Sequence, residues 1–315
     1  MSQKRKTLVV VTGPTGSGKT ALAIALAQRL DTEIVSADSR QIFKDISIGT
    51  AAPTAQELAQ AVHHLVGIHP LDQYYSAAEF EQDALRIIDG IFLRSDYAIL
   101  CGGSMMYVDA VRRGIDELPT ISDEVRRRAY ALWESEGNEG VMARLRELDP
   151  TYADEVDPNN GKRLVHALEI CMEAGVPYST LRTGRAKQRP FRIVTLAIRL
   201  PREQLFDRIN RRVDAMVTDG LVEESRRVYP LRHLNSLNTV GFKEMFRYID
   251  GEWDLATATA RMAKNTRVYA KKQLTWLQRD DSVEWLDGNS ATLVEDAVKV
   301  IKAEGKTIRQ VRAYI

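Results

Sequence analysis

GPTGSGKT, residues Gly13 to Thr20, fits the pattern G-x-x-x-x-G-K-[ST]. In loops of this pattern the backbone N–H groups surround phosphate oxygens, the lysine adds positive charge and the last hydroxyl binds magnesium. The segment before it, TLVVVT from Thr7 to Thr12, is typical of a buried strand, and the apolar-rich segment Ala21 to Leu30 is typical of a helix. This strand, loop and helix are the context that the motif requires. The sequence therefore predicts a site for a diphosphate or polyphosphate group, formed by Gly13, Pro14, Thr15, Gly16, Ser17, Gly18, Lys19 and Thr20.

Length and composition are those of an ordinary globular protein. The chain has 315 residues, 44% of them hydrophobic, which is enough for one large domain or two modest ones. A net charge of +1 excludes a global field that would attract nucleic acid, although basic residues can still be concentrated locally. The two cysteines, Cys101 and Cys171, lack the spacing of metal ligands, which favours a reduced, cytoplasmic protein.

No segment reaches the length of about 18 apolar residues that a membrane helix needs, so no membrane association is expected. The N-terminal stretch MSQKRKTLVVVTG has a basic flank, but its apolar run is short and leads into the glycine-rich loop. This pattern does not fit a signal peptide.

A second strand, Glu33 to Asp38, ends in a carboxylate. The carboxyl edge of a parallel sheet is where ligands bind in α/β folds, so Asp38 is expected beside the phosphate-binding loop. There it could hold magnesium, directly or through water, or accept a proton from a substrate. The alternative is that its side chain only caps a turn.

A third strand, Tyr97 to Cys101, leads into Gly102, Gly103 and Ser104. Two glycines at this point let the backbone approach a ligand and present the Ser104 hydroxyl, although a plain tight turn is an equal alternative. Between these strands, residues 42–75 are irregular, as functional loops often are. The adjacent pair His63 and His64 lies in that region, and a shared metal site is not expected there because neighbouring side chains diverge.

Residues 120–190 differ from the rest of the chain. Helical patterns cover Ser122–Trp133, Gly140–Leu148, Lys162–Ala174 and Val176–Leu181, and strand patterns are lacking. The α/β pattern resumes with the strand Ile193–Leu200. We therefore predict an α/β fold with a P-loop NTPase-like parallel sheet flanked by helices. Its core would be 1–119 and 191–315, with C-terminal helices, and 120–190 would be a helical insertion domain.

Two stretches are basic. Arg182 to Arg192 has five basic residues, and Arg261 to Arg279 has six basic and two aromatic residues; neither contains an acid. On a helix, Arg261, Lys264 and Lys271 or Lys272 fall near one another, which suits a phosphate backbone. On the same predicted helix, the side chains of Met262, Tyr269, Leu274 and Leu277 would face inward. The alternative is a solvated charged helix.

Ten ordered segments together resemble the tRNA dimethylallyltransferase (tRNA isopentenyltransferase) family, which transfers a five-carbon prenyl group to the N6 amine of the adenosine next to the anticodon. They are GPTGSGKT (Gly13), SADSRQIF (Ser36), SIGTAAP (Ser47), HHLVGI (His63), YSAAEF (Tyr75), GGSMMY (Gly102), KRLVHALEI (Lys162), RINRRVDAM (Arg208), NTVGFKE (Asn238) and AKKQLTWLQR (Ala270).

The resemblance implies a role for each matching position. Lys19 and the loop amides would hold the diphosphate of dimethylallyl diphosphate, with Mg²⁺ on Thr20. Asp38 would accept a proton from the adenine amine, Ser104 would bind the donor near its leaving oxygen, and Arg212 would bind the released diphosphate. The tRNA, through its anticodon stem-loop, would contact Asp38, Ser39, Arg40, Gln41, Arg126, Lys162, Arg163, His166, Gly241, Lys243, Lys271, Lys272, Gln273 and Trp276. A monomer is expected.

Three motifs depart from the family pattern, at four positions in all. Ser104 stands where the family has threonine, SIGTAAP replaces DIGTAKP, and Gly67 replaces a carboxylate in HHLIDI. The phosphate loop and Asp38 are intact, so these departures bear on the entrance and on rate. Three other functions fit parts of the sequence: a nucleotide or small-molecule kinase that binds ATP, a prenyltransferase for free nucleotides, and a non-catalytic RNA-binding module gated by nucleotide.

Overall fold

The computed structural model describes residues 6–303. Among these residues the strands are β1 (Thr7–Thr12), β2 (Ile34–Ser36), β3 (His63–His64), β4 (Tyr97–Cys101), β5 (Arg192–Arg199) and β6 (Val283–Asp287). They form one sheet in the order β3-β2-β4-β1-β5-β6, and every neighbouring pair is parallel.

The helices of the described residues are α1 (Lys19–Leu30), α2 (Ala55–Leu58), α3 (Ala77–Phe92), α4 (Met105–Arg113), α5 (Asp123–Leu148), α6 (Pro150–Glu155), α7 (Gly161–Ala174), α8 (Tyr178–Leu181), α9 (Arg202–Thr218), α10 (Leu221–Val228), α11 (Phe242–Ile249), α12 (Leu255–Leu277) and α13 (Leu293–Lys302). None of them is both long and apolar enough to cross a membrane.

The chain divides into two compact units. In the described range, unit 1 comprises residues 6–113 and 188–303, and unit 2 comprises residues 114–187. Both boundaries lie a few residues before the bounds expected for a helical insertion at 120–190.

Unit 1 is built around β1, whose six residues are all buried. Its apolar side chains alternate between two cores: Leu8 and Val10 belong to one, and Val9 and Val11 belong to the other. Both faces of the sheet are therefore covered by helices, as a parallel sheet requires. This confirms the predicted α/β class, with the glycine-rich loop following β1.

The sheet order brings three predicted segments to one edge. Val11 of β1 and Ser36 of β2 are both in register with Cys101 of β4. The chain after β1, the chain after β2 and the chain after β4 therefore leave the sheet side by side. These are the Gly13–Thr20 loop, Asp38 and the Gly102–Ser104 turn.

Unit 2 contains only helices, α5 to α8, among its described residues. The predicted helices Ser122–Trp133 and Gly140–Leu148 are joined in α5, which is interrupted at Gly137, where φ is 65° and ψ is −160°. Unit 2 has its own apolar core between α5, α6 and α7. Its buried Asp149 accepts hydrogen bonds from the Ser179 amide and hydroxyl, both at 2.7 Å.

The two ends of unit 2 lie next to each other. A Cβ atom on Gly114 would stand 2.6 Å from Cγ of Lys187, and Gly114 has a φ of 84°. Nearby, the Asp116 carboxylate accepts hydrogen bonds from the Thr183 hydroxyl at 2.5 Å and the Gly184 amide at 3.1 Å.

Candidate active site at the carboxyl edge of the sheet

The glycine-rich loop has the shape of an anion cradle. Gly13, Gly16 and Gly18 have φ values of 141°, 84° and 97°, which only glycine adopts without strain. Gly18 precedes α1, so the first amides of α1 point out of the helix end toward the loop. Within the described chain, the N–H groups of Gly16, Gly18, Lys19 and Thr20 donate to no protein group. They are available to an anion.

Two other loop groups bear on ligand binding. The Ser17 hydroxyl is buried and lacks a hydrogen-bond partner among the described residues. A buried polar group without a partner costs free energy, so a bound anion that accepts from Ser17 would remove that cost. The Thr15 N–H, in contrast, is occupied: it donates to Oε1 of Gln273 at 2.8 Å.

Lys19 and Arg212 supply positive charge to the loop. The Lys19 ammonium donates to the Pro14 carbonyl at 3.0 Å, and burial lowers the pKa of Lys19 to about 8. Arg212, on α9, donates to the Thr15 hydroxyl and the Ala51 carbonyl, both at 3.3 Å. Burial lowers the pKa of Arg212, and the nearby Asp38 charge opposes that shift. These two cations can neutralise the negative charge of a bound diphosphate.

Asp38 uses one carboxylate oxygen to hold the turn that follows it. Oδ1 accepts from the amides of Arg40 at 2.9 Å and Gln41 at 3.3 Å. Within the described chain no group donates to Oδ2. The turn-capping alternative is therefore present, but it leaves one oxygen for a ligand.

The Gly102–Ser104 turn packs against the end of β2. A Cβ on Gly102 would stand 2.1 Å from the Ala37 carbonyl oxygen, so the close approach at Gly102 is to protein backbone rather than to a ligand. Ser104 is buried, and its Oγ accepts from the Ser39 amide at 2.8 Å and donates to Oγ of Ser39 at 3.1 Å. The hydroxyl thus links two of the predicted site segments.

The predicted base-contacting residues Arg40 and Gln41 bind protein groups in this structure. Arg40 Nη1 donates to the carbonyls of Asn235 at 2.7 Å and Ser236 at 3.2 Å. The Gln41 side-chain amide donates to the carbonyls of Thr50 and Ala51 at 3.1 and 2.9 Å. Both side chains therefore order the loops around the site.

Two cavities meet at these segments. The loop cavity, of about 640 Å³, is lined by Lys19, Thr20, Asp38, Gly103 and Arg212 among others. The tyrosine cavity, of about 400 Å³, is lined by Ser39, Arg40, Ser104, Tyr74, Tyr107 and Met106 among others. Since adjacent residues line different cavities, the pairs Asp38–Ser39 and Gly103–Ser104 form the wall between them. Tyr269 lines both cavities and is 38% exposed, and its hydroxyl donates to the Gly103 carbonyl at 3.4 Å, so it faces the site rather than an apolar core.

The remaining predicted RNA contacts fall into two groups. Lys162, Arg163 and His166 are exposed on α7 in unit 2, and Lys243, Lys271 and Lys272 are exposed in unit 1. Arg126 is half-buried and pairs with Glu169 at 3.6 Å. Burial and the Arg126 charge lower the pKa of His166.

Gly241, Gln273 and Trp276 do not have the exposure expected of RNA contacts. Gly241 is buried, and a Cβ there would stand 3.2 Å from Cε of Met262. Gln273 is only 3% exposed, and Trp276 packs partly buried against an apolar core. The structure gives these three residues packing and loop-holding positions.

Glu224 is a supporting residue that the sequence did not reveal. Its buried carboxylate accepts from the amides of Ile48 at 2.9 Å and Gly49 at 2.7 Å, and burial raises its pKa. It thereby fixes the SIGTAAP segment, which lines the loop cavity. In the sequence, Glu224 belongs to the charged run EESRR, which has no mark of burial.

This fold and site define an α/β protein with a glycine-rich loop after a strand of its parallel sheet and a carboxylate beside that loop. The model of the IPP transferase family matches residues 41–280. The chain belongs to that family.

Curated relatives match along most of the chain. A protein of Phocaeicola vulgatus named tRNA dimethylallyltransferase 1 is 51% identical over 91% of this chain and 95% of its own length. A protein of the same name from Bacteroides thetaiotaomicron is 48% identical over 93% of this chain and 96% of its own length.

Two solved structures are similar in fold. The full-length tRNA isopentenylpyrophosphate transferase of Bacillus halodurans has a TM-score of 0.68 at 34% identity, covering 94% of this chain and 95% of its own. A eukaryotic dimethylallyltransferase acting on tRNA has a TM-score of 0.79 at 25% identity, covering 93% of this chain and 77% of its own.

Proposed function

We propose that this protein transfers a dimethylallyl group from dimethylallyl diphosphate to the N6 amine of the adenosine that follows the anticodon in tRNA. The observation that carries the proposal is the loop cavity, where two cations and free backbone amides stand beside the open oxygen of Asp38. The reaction forms a bond between N6 and the allylic carbon and breaks the bond from that carbon to the diphosphate oxygen. The relatives named above are in keeping with this chemistry.

The diphosphate of the donor is bound by the loop. The amides of Gly16, Gly18, Lys19 and Thr20 donate to its oxygens, and the Ser17 hydroxyl gains the partner that it lacks. Lys19 and Arg212 neutralise the charge that grows on the leaving oxygen. Groups placed in advance around developing charge are a large source of rate enhancement.

A magnesium ion fits the same cavity. The Thr20 hydroxyl is a hard oxygen ligand, and it lines the loop cavity. The described residues contain no group of three histidine, cysteine or acidic side chains placed to hold a metal. Thr20 would therefore hold Mg²⁺ together with diphosphate oxygens and water, as is usual for this ion. When bound, the ion would offset diphosphate charge.

Asp38 acts on the acceptor. Its capped Oδ1 fixes the direction of the carboxylate, so Oδ2 is held where it can accept the proton that N6 loses as the new bond forms. The amine of adenine is a weak nucleophile because its lone pair is delocalised into the ring. A positioned general base contributes about 10² to 10⁴ in rate.

The acceptor base enters from the tyrosine cavity. Tyr74 is 67% exposed and Met106 is 71% exposed there, although both side chains are large and apolar. Unstacked RNA bases are commonly held on such aromatic and apolar faces. The exposed Lys243, Lys271 and Lys272, with Lys162, Arg163 and His166 of unit 2, would contact the anticodon stem-loop. One chain carries all of these groups, in keeping with the expected monomer.

The direct test is transfer of label. The protein is incubated with labelled dimethylallyl diphosphate, Mg²⁺ and tRNA that lacks the modification, and the tRNA is digested and analysed by mass. We expect one prenyl group on the adenosine 3′ of the anticodon. In a parallel reaction with AMP as the acceptor, label on AMP and none on tRNA would indicate a free-nucleotide enzyme. ATP hydrolysis or phosphoryl transfer without prenyl transfer would overturn the proposal in favour of a kinase.

A further inference from the structure

Gln273 lies between the glycine-rich loop and the Gly102–Ser104 turn, both of which contribute to the lining of the loop cavity. It belongs to α12, and its side-chain amide uses both of its polar atoms. Oε1 accepts from the Thr15 N–H at 2.8 Å, and Nε2 donates to the Gly103 carbonyl at 2.8 Å. Since the residue is only 3% exposed, water competes little for either bond.

The Gly103 side of this bridge fits closely. A Cβ atom on Gly103 would stand 2.3 Å from Nε2 of Gln273 and 3.7 Å from Nζ of Lys19. A side chain there would displace the amide group or the loop. The amide of Gln273 therefore occupies the space that a side chain at position 103 would need.

The Thr15 side bears on ligand binding. The Thr15 hydroxyl accepts from Arg212, while its N–H donates to Gln273 and is occupied by that bond. The amides of Gly16, Gly18, Lys19 and Thr20 remain free. The bond from Gln273 thus sets which part of the loop faces the diphosphate.

We infer that Gln273 is a positioning residue, which ties the glycine-rich loop to the Gly102–Ser104 turn and so fixes the distance between the donor cradle and the wall that carries Asp38. It acts through Thr15 and Gly103, because both polar atoms of its side chain are engaged by them. The inference rests on the proposed function. It replaces the RNA-contact role that the sequence suggests for Gln273.

The main test is Gln273→Met, which keeps the length of the side chain and removes both hydrogen bonds. Steady-state kinetics are measured with dimethylallyl diphosphate and tRNA varied separately. We expect KM for the donor to rise about tenfold, as for the loss of two buried hydrogen bonds, and KM for tRNA to stay unchanged. The matched control is Thr259→Ala. Thr259 is on the same helix and donates only to the Leu255 carbonyl of that helix, so both KM values should stay at the wild-type level.

A second pair of variants keeps the test open if Gln273→Met does not fold. Gly103→Ala introduces the 2.3 Å conflict with the intact glutamine, and we expect it to raise KM for the donor. In the Gln273→Ala background the conflicting atom is gone, so the same Gly103→Ala change should cost much less. Such non-additivity is the mark of residues that act through contact.

Three results would overturn the inference: an unchanged donor KM in Gln273→Met, a rise in KM for tRNA as large as that for the donor, or strictly additive effects of Gly103→Ala and Gln273→Ala. A lowered thermal midpoint with kcat and both KM values unchanged would give Gln273 a purely structural role and would also overturn it. Failure of the proposed function is distinguished by the wild-type protein, which would then transfer no prenyl group at all.

Discussion

The loop cavity and the exposed face of α12 hold their polar residues in different ways. Around the cavity, Asp38, Ser104 and Gln273 each make at least two hydrogen bonds to backbone or to one another's segments. On the exposed face, Lys264 and Lys272 make no ion pair with any described residue. Hydrogen bonds fix the positions of the side chains around the cavity, whereas the exposed lysines of α12 contribute mainly positive charge. Substitutions should therefore change catalysis or donor binding in the first region and tRNA affinity in the second.

Asp38→Asn gives the largest expected effect. Asparagine keeps an oxygen to accept from Arg40 and Gln41, so the turn is preserved while the base is removed. We expect kcat to fall by about 10² to 10⁴, with little change in tRNA affinity or thermal midpoint. Asp38→Ala, which also removes the turn cap, should lower the midpoint as well. A large loss of tRNA binding in Asp38→Asn would make Asp38 a docking residue instead.

The next effect is a pH dependence from Lys19. Because burial lowers its pKa to about 8, the ammonium is charged below that pH and is neutral above it in the free enzyme. The kcat/KM for the donor should therefore fall above pH 8, by about tenfold per pH unit. In Lys19→Arg the charge persists, so this alkaline limb should disappear even if activity is lower throughout. An unchanged limb in Lys19→Arg would assign it to another group.

The smallest effect is expected from charge removal on α12. Lys271→Ala together with Lys272→Ala should weaken tRNA binding about tenfold and reduce the slope of log K against log salt by about 1.4, for two single-strand phosphate contacts. The kcat at saturating tRNA should hold. Lys299→Ala, which removes an exposed lysine on α13 that pairs with Asp296 at 3.5 Å, is the control and should leave both unchanged. An unaltered slope in the double variant would return this face to a solvated charged surface.

The sequence predicts the centre of the fold well because the signals there are local. A run such as TLVVVT, a glycine-rich loop and an apolar helix identify β1, the loop and α1 without any long-range information. The strand β3, with only His63 and His64, is too short to give a pattern. Short β6, Val283–Asp287, and α13 complete the sheet and its cover through contacts with segments distant in the chain, and the sequence reading missed both.

The same distinction applies to the site. Lys19 and Asp38 were found from a motif and a strand end, and the sheet order brings them together. The burial of Gln273 could not be predicted, because the run AKKQLTWLQR is basic and a glutamine among lysines is typical of a surface segment. Its partners, Thr15 and Gly103, are more than 150 positions away in the chain. Burial of a polar side chain by such distant partners leaves no local pattern.

The adjacent ends of unit 2, where Gly114 meets Lys187, have a consequence for how the chain varies and folds. A segment whose ends touch can be exchanged for a tight turn without stretching the chain on either side, the usual condition for tolerated domain insertion. Unit 2 also adds little entropy cost to the pairing of β1 with β5, because contacts within unit 2 already hold the two ends of the inserted segment together. Residues 114–187 can thus vary in length and surface sequence without changing the register of the strands in unit 1.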